Sequence, residues 1–124
     1  MSAEKSNVCS GGPKLIFACS GAADVGEISD RAARKLNKEG DGAMFCLAGL
    51  GGKVEPIMKK TASASKILAI DGCELDCVKK CLQQAGFTEF KHIRVTDFGM
   101  QKGRTAITEE NIAVVAQQGV VLLD

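Results

Sequence analysis

Short apolar runs alternate with stretches of helical periodicity along most of the chain, and this alternation constrains the fold more than any other feature. The apolar runs are bounded by turn-forming residues and have the length of buried strands. The helical stretches carry apolar residues three or four positions apart, with charged residues between them. The predicted strands are residues 14–19, 43–48, 66–70 and 90–95, and the predicted helices are residues 24–39, 54–62, 74–85 and 108–118. Strands and helices that alternate in this way predict a parallel sheet covered by helices.

We therefore expect an α/β fold, with a single three-layer domain and a mostly parallel sheet of four strands, similar to flavodoxin or a Rossmann domain. Residues 120–123, which follow Gly119, are a candidate for a fifth strand or for a packed tail. The length of 124 residues suits one domain. We expect a mobile N-terminal arm in residues 1–13, which are polar and contain two glycines, and the α/β domain itself in residues 14–124.

Charge and composition argue against nucleic acids and membranes as partners. Sixteen basic and fifteen acidic residues leave a net charge of +1, and the chain has no Trp, no Tyr and only five Phe. It therefore lacks the basic patch and the aromatic platform with which proteins bind nucleic acid. No apolar run reaches the roughly 20 residues that span a bilayer, and the polar N-terminus lacks the apolar core of a signal peptide. We expect a cytoplasmic protein, and the sequence indicates no particular protein partner or oligomeric state.

Six cysteines are the main chemical signal, because in a reducing cytoplasm they favour metal or redox chemistry over disulfides. Cys19, Cys46 and Cys73 each end or follow a predicted strand, which places them at the carboxyl edge of the sheet, where open parallel sheets bind ligands. Cys77 comes one helical turn after Cys73, on the same face of the predicted helix. Cys73 precedes or opens that helix, whose amino end favours a thiolate, and the same holds more weakly for Cys19, a few residues before the helix at Asp24. Four thiols at one edge are what a tetrahedral zinc site needs.

Several residues have simpler explanations. Cys77 and Cys81 lie four positions apart, which is also typical of a buried helix stripe, and for Cys81 this is the better interpretation. Cys9 lies in the predicted arm as a bystander or a flexible fifth ligand. Asp71 is expected to cap the helix that follows it. His92, the only histidine, is expected to be a surface residue away from the site.

Other chemistries of a cysteine cluster stay open at this point. Thiolates with thiol neighbours also suit a redox enzyme or sensor. Weak, exchangeable binding would suit a metal carrier or a module of a larger complex, and four cysteines also hold iron–sulfur clusters, a less favoured alternative here. No catalytic residue can be assigned. The glycine-rich segment 49–53 lacks a phosphate-loop pattern, and Val25 stands where a Cys-x₅-Arg phosphatase has its arginine.

Three cysteine-bearing segments resemble the DGC domain family, which is described as zinc-binding. They are residues 18–26, 44–49 and 70–77, and the last contains Asp-Gly-Cys at positions 71–73. The resemblance extends over almost the whole chain. The zinc ligands that it implies are Cys19, Cys46, Cys73 and Cys77. It gives no role to Cys9 or Cys81 and implies no particular enzymatic activity.

Overall fold

The computed structural model describes residues 11–124 and contains, within them, a sheet of four strands that all run parallel. The strands are β1 (Lys14–Ala18), β2 (Ala43–Met44), β3 (Lys66–Asp71) and β4 (Lys91–Arg94). Their order across the sheet is β2-β1-β3-β4. The predicted α/β fold is thus confirmed. Residues 1–10, with Cys9 and most of the predicted arm, lie outside the described residues.

Helices cover both faces of this sheet and make the fold a three-layer arrangement. They are α1 (Asp24–Lys38), α2 (Leu47–Gly51), α3 (Glu55–Ala62), α4 (Cys77–Gln84) and α5 (Glu109–Leu123). Helices α1 and α5 pack on one face, and α2, α3 and α4 pack on the other. A short 3₁₀ turn, Val95–Phe98, follows β4. None of the helices in the described part of the chain is long and apolar enough to cross a membrane.

The two central strands, β1 and β3, contribute side chains to the cores on both faces of the sheet. This explains why they appear in the sequence as continuous apolar runs. Ile16 and Leu68 face the core under α1 and α5. Leu15 and Ile67 face the core under α2, α3 and α4. All four side chains are buried. Because a central parallel strand is covered on both faces, neither face needs polar residues.

The predicted end of the last helix at Gly119 is wrong, since α5 continues to Leu123 and residues 120–123 add no strand. Gly119 lies where α5 approaches α1 and the sheet. A Cβ atom at this position would lie 2.7 Å from Leu36 Cδ1 and 3.2 Å from Leu68 Cδ2. The glycine therefore permits close packing inside a helix and does not end it.

Two elements that carry cysteines begin or end at other residues than the sequence predicts. Strand β2 stops at Met44, and Cys46 is the N-cap of α2 and lies outside the strand. Helix α4 begins only at Cys77, so Cys73 precedes the helix and does not share a helix face with Cys77. The cause is Asp76, whose φ of 56° is left-handed and cannot belong to a right-handed helix.

Candidate functional site

The order of the strands reverses between β1 and β3, and open parallel sheets bind ligands in the crevice beyond such a pair of strand ends. Cys19 follows β1 directly, and its backbone N–H donates to the carbonyl oxygen of Ile70 in β3 at 3.0 Å. Asp71 is the last residue of β3, so Gly72 and Cys73 begin the loop beside it. Cys19 and Cys73 therefore flank this crevice.

Two glycines allow the crevice loops to pack closely against the amino end of α1. A Cβ atom on Gly72 would lie 3.0 Å from the backbone nitrogen of Gly26. A Cβ atom on Gly26 would lie 2.7 Å from the carbonyl oxygen of Gly21. Each contact is with backbone, which cannot rotate away as a side chain can. The glycine of the Asp-Gly-Cys segment thus holds Cys73 next to the start of α1.

Cys46 approaches the same edge from the side of β2. It is exposed, and its Sγ accepts the backbone N–H of Gly49 at 3.3 Å. The sulfur thus accepts the hydrogen bond that an N-cap oxygen usually accepts at the start of a helix, here α2.

Cys77 is the first residue of α4. The residue as a whole is exposed, but its neighbours partly shield the thiol from water, and this burial is the largest reason why the pKa of Cys77 is raised. The charges of Cys19, Asp71, Cys73 and Cys81 raise the pKa further. Anions at these positions repel one another, and a bound dication would reverse that balance.

An open cavity of about 930 Å³ adjoins the crevice on the side of β2 and α2. Its lining includes Cys19, Cys46 and Cys81, together with apolar side chains from β1, β2 and α2. An ion pair lies on the rim, where Arg34 Nε donates to Asp30 Oδ2 at 2.7 Å. A cavity of this volume can hold a small molecule.

The cysteine sulfurs do not form a closed tetrahedron. Within residues 11–124, no three of them lie within 4.8 Å of one another. Zinc–thiolate bonds of about 2.3 Å would place the sulfurs about 3.8 Å apart. Rotation about χ1 moves a cysteine sulfur by about 3 Å. The donors fit zinc by their chemistry, and side-chain rotation is needed to close the site.

The predicted ligands are thus brought together unequally. Cys19, Cys73 and Cys77 are electrostatic neighbours around the crevice. Cys46 joins Cys19 through the cavity. Cys81, which the sequence did not assign to the site, lies near both groups.

A second polar group lies on the β4 side of the crevice, and we call it the α4 clamp. Its members are Asp71, Asp76, His92 and Arg94. His92 Nε2 donates to Asp71 Oδ2 at 2.8 Å, and Arg94 donates two bonds of 2.7 Å to the two oxygens of Asp76. Asp71 also accepts the backbone N–H groups of Val78 and Lys79 at 2.8 and 3.2 Å. The prediction that Asp71 caps the following helix is confirmed.

The prediction that His92 is a surface residue away from the site is wrong, because its side chain is only 18% exposed and is bonded to Asp71. The register of the sheet is the reason. It pairs Ala69 with His92 and Asp71 with Arg94, which brings the polar end of β4 beside the end of β3. The polar residues at 91, 92 and 94 within this strand are the signal in the sequence for this arrangement.

The ligand atoms of Asp71, Asp76 and His92 lie within 4.8 Å of one another, and no other such group of three occurs in the part of the chain that the structure describes. Their bonding argues against a cation there. Arg94 occupies both oxygens of Asp76 and lowers the pKa of that carboxyl. The oxygens of Asp71 hold the first amides of α4. We therefore regard the clamp as a structural group.

The loop before α5 lies beside Cys73, in the same layer as α1 and α5. Lys102 Nζ lies 3.7 Å from the Sγ of Cys73. The loop is tied to α1 by Asp24, which accepts the backbone N–H groups of Gly103 and Thr105 at 2.8 and 2.9 Å. These two amides are the main reason why the pKa of Asp24 is lowered.

The fold and the site define a class of protein, an α/β domain with cysteines around the switch point of its parallel sheet. The DGC domain family matches residues 15–119, and the chain belongs to this family. The chain is also similar to the anaerobic and virulence modulator AnvM of Pseudomonas aeruginosa, with 35% identity over 88 residues, which are 71% of this chain and 67% of that protein. No solved structure was found to match the chain.

Proposed function

We propose that the protein binds one zinc ion through cysteine thiolates at the carboxyl edge of its sheet. The proposed ligands are Cys19, Cys46, Cys73 and Cys77. The observation that carries this proposal is the placement of three cysteines, since Cys19 and Cys73 flank the crevice beyond β1 and β3 and Cys77 begins the helix that follows. Thiolates so arranged repel one another until a cation binds between them.

A structural or regulatory role follows from the ligand set. Four thiolates fill the tetrahedral shell of zinc and leave no position for a substrate. The similar protein from Pseudomonas aeruginosa is described as a modulator, and we extend a regulatory role to the present chain. A cytoplasmic location, in which the thiols stay reduced, is part of this proposal. An iron–sulfur cluster is the alternative for the same ligands.

The metal content of protein purified under reducing conditions, without a chelator, tests the proposal. We expect about one zinc per chain. Cys77→Ser should lose most of the metal, whereas Cys9→Ser, which removes a thiol outside the proposed set, should retain it. Metal-free protein with all its thiols free and with unchanged stability would overturn the proposal. Iron and sulfide in place of zinc would support the cluster.

A thiol–disulfide switch is the second candidate, and the proximity of Cys19 to Cys77 favours it, since Cys19 contributes the largest neighbouring charge to the raised pKa of Cys77. In this reaction the two thiols lose two protons and two electrons to a small-molecule disulfide, which leaves as two thiols. Thiol counting before and after mild oxidation separates the candidates. Reversible loss of two thiols without release of metal favours the switch.

A further inference from the structure

Cys81 opens onto the same space as two of the proposed ligands. Of the five cysteines that the structure describes, Cys19, Cys46 and Cys81 line the cavity of about 930 Å³. Cys81 is half-buried. A Cβ atom at Gly51 would lie 3.8 Å from the Sγ of Cys81, so the absence of a side chain there leaves the thiol uncovered on this side.

Cys73 lies toward the other layer of the domain. Its side chain packs against the core under α1 and α5, whereas Cys19 and Cys81 pack against the core under α2, α3 and α4. Cys73 also has a cationic neighbour, because Lys102 Nζ lies 3.7 Å from its Sγ. Cys73 and Cys81 therefore approach the crevice from opposite faces of the sheet.

Cys77 is four positions from each of these two thiols in the sequence. On the side of Cys73, the chain turns back just before α4, because the backbone N–H of Asp76 donates to the carbonyl oxygen of Cys73 at 3.2 Å. Cys81 is one helical turn from Cys77 on α4, a spacing that puts the two Cβ atoms about 5–6 Å apart. An ion bound to Cys77 can therefore be reached by a sulfur from either face.

We propose that Cys81 is a further ligand of the metal and is interchangeable with Cys73, while Cys19, Cys46 and Cys77 hold the ion throughout. This inference rests on the proposed zinc function. It makes the site a five-thiol site of which four bind at a time. Cys81 is the sulfur that the sequence had assigned to a core stripe.

The exchange between the two arrangements balances in bonds and protons. The bond from zinc to the Cys81 sulfur forms as the bond to the Cys73 sulfur breaks. The Cys81 thiol gives its proton to water, and the departing Cys73 thiolate, beside Lys102, takes one up from water.

Zinc affinities of Cys73→Ser, Cys81→Ser and the double variant test the inference, with Cys9→Ser present in every protein so that Cys9 cannot act as a substitute ligand. Competition with a chromophoric chelator measures each affinity. We expect each additional single change to lower the affinity less than about tenfold, and the double change to lower it more than about 100-fold, because only the double variant lacks a fourth thiolate. The Cys9→Ser protein is the reference.

The outcomes separate the two proposals. If Cys81→Ser matches the reference and the double variant matches Cys73→Ser, Cys81 is not a ligand, and the zinc function stands without it. If the reference protein itself binds no zinc, the proposed function fails. Cobalt in place of zinc adds a spectroscopic count, since the sulfur-to-cobalt charge-transfer band should keep its intensity in the single variants and fall by about a quarter in the double variant.

Alkylation of the wild-type protein gives a readout that does not depend on the folding of variants. Metal-bound thiolates react slowly with an alkylating reagent, so zinc should slow the modification of Cys81 several-fold, as is expected at the other proposed ligands. Mass spectrometry of the digested protein follows each cysteine separately. Equal rates at Cys81 with and without zinc would overturn the inference.

Discussion

Two polar regions meet at the carboxyl edge of the sheet, and they are built in opposite ways. In the α4 clamp, each carboxylate oxygen of Asp71 and Asp76 accepts at least one hydrogen bond from within the protein. The cysteines beside it are exposed or half-buried, and among residues 11–124 no three of their sulfurs come within 4.8 Å of one another. The carboxylate oxygens of the clamp are therefore occupied by hydrogen bonds within the protein, whereas the cysteine sulfurs remain able to bind a ligand.

The two regions therefore have separate roles, one in the stability of the fold and one in binding. Buried charges that are fully bonded to one another hold a structure in place. The clamp does this at the amino end of α4, where Cys77 is the first helical residue. Changes in the clamp should therefore lower the stability of the metal-free protein, and changes in the thiols should lower metal binding while that stability is kept.

Asp71→Ala should have the largest effect on stability. It removes the acceptor of two α4 amides and the partner of His92 inside a site where Asp71 is only 1% exposed. We expect the free energy of unfolding of the metal-free protein to fall by about 3 kcal/mol, as measured by urea denaturation. Zinc affinity should fall with it, because the clamp fixes the helix that begins at Cys77.

Asp71→Asn is the matched control for this change. The amide keeps the shape of the side chain and one acceptor oxygen, so the loss should be closer to about 1 kcal/mol. If Asp71→Ala lowers the free energy of unfolding no more than Asp71→Asn does, the clamp does not hold α4, and the contrast between the two regions is lost.

Acid should release the loop that lies beside Cys73, with a smaller effect. The amides of Gly103 and Thr105 lower the pKa of Asp24 below its ordinary value of 3.8. The carboxylate therefore stabilises the fold fully above the unfolded pKa, and this contribution is lost as the pH falls through the lower folded pKa. Between about pH 5 and pH 2, the Tm of wild type should fall by a few degrees more than that of Asp24→Asn.

Glu110→Gln, an exposed change on α5, serves as the control for removal of one carboxylate. It should follow the wild-type pH profile. Parallel profiles of wild type and Asp24→Asn would show that Asp24 does not hold the loop. The position of Lys102 beside Cys73 would then not be fixed by this contact.

The central sheet could be predicted from the sequence because its strands depend on little beyond burial. The runs at 14–18 and 66–71 are apolar since both of their faces are covered, and α1 begins at Asp24 as its periodicity predicted. Gly119 was misinterpreted because its effect depends on a partner, Leu36, that lies far away in the sequence.

The candidate site was less predictable, since its geometry depends on backbone turns and on register. The left-handed backbone of Asp76 is not encoded in any periodicity, so the sequence predicts one helix face for Cys73 and Cys77 where the structure has a turn between them. The contact between His92 and Asp71 exists only because β4 pairs with β3 in one particular register. Neither feature could be derived from residue spacing alone.

The smallest effect on stability is expected at Cys46, the exposed end of the thiol region. Its sulfur caps α2 by accepting the N–H of Gly49 at 3.3 Å. A serine oxygen is among the preferred N-caps. We therefore expect Cys46→Ser to change the free energy of unfolding of the metal-free protein by less than about 0.5 kcal/mol. Its zinc affinity should nevertheless fall more than about tenfold, because a hydroxyl is a poor substitute for a thiolate ligand. Urea denaturation and chelator competition on the same preparation measure both. A large loss of stability with unchanged zinc affinity would reverse the roles assigned to the two regions, since Cys46 would then belong to the scaffold.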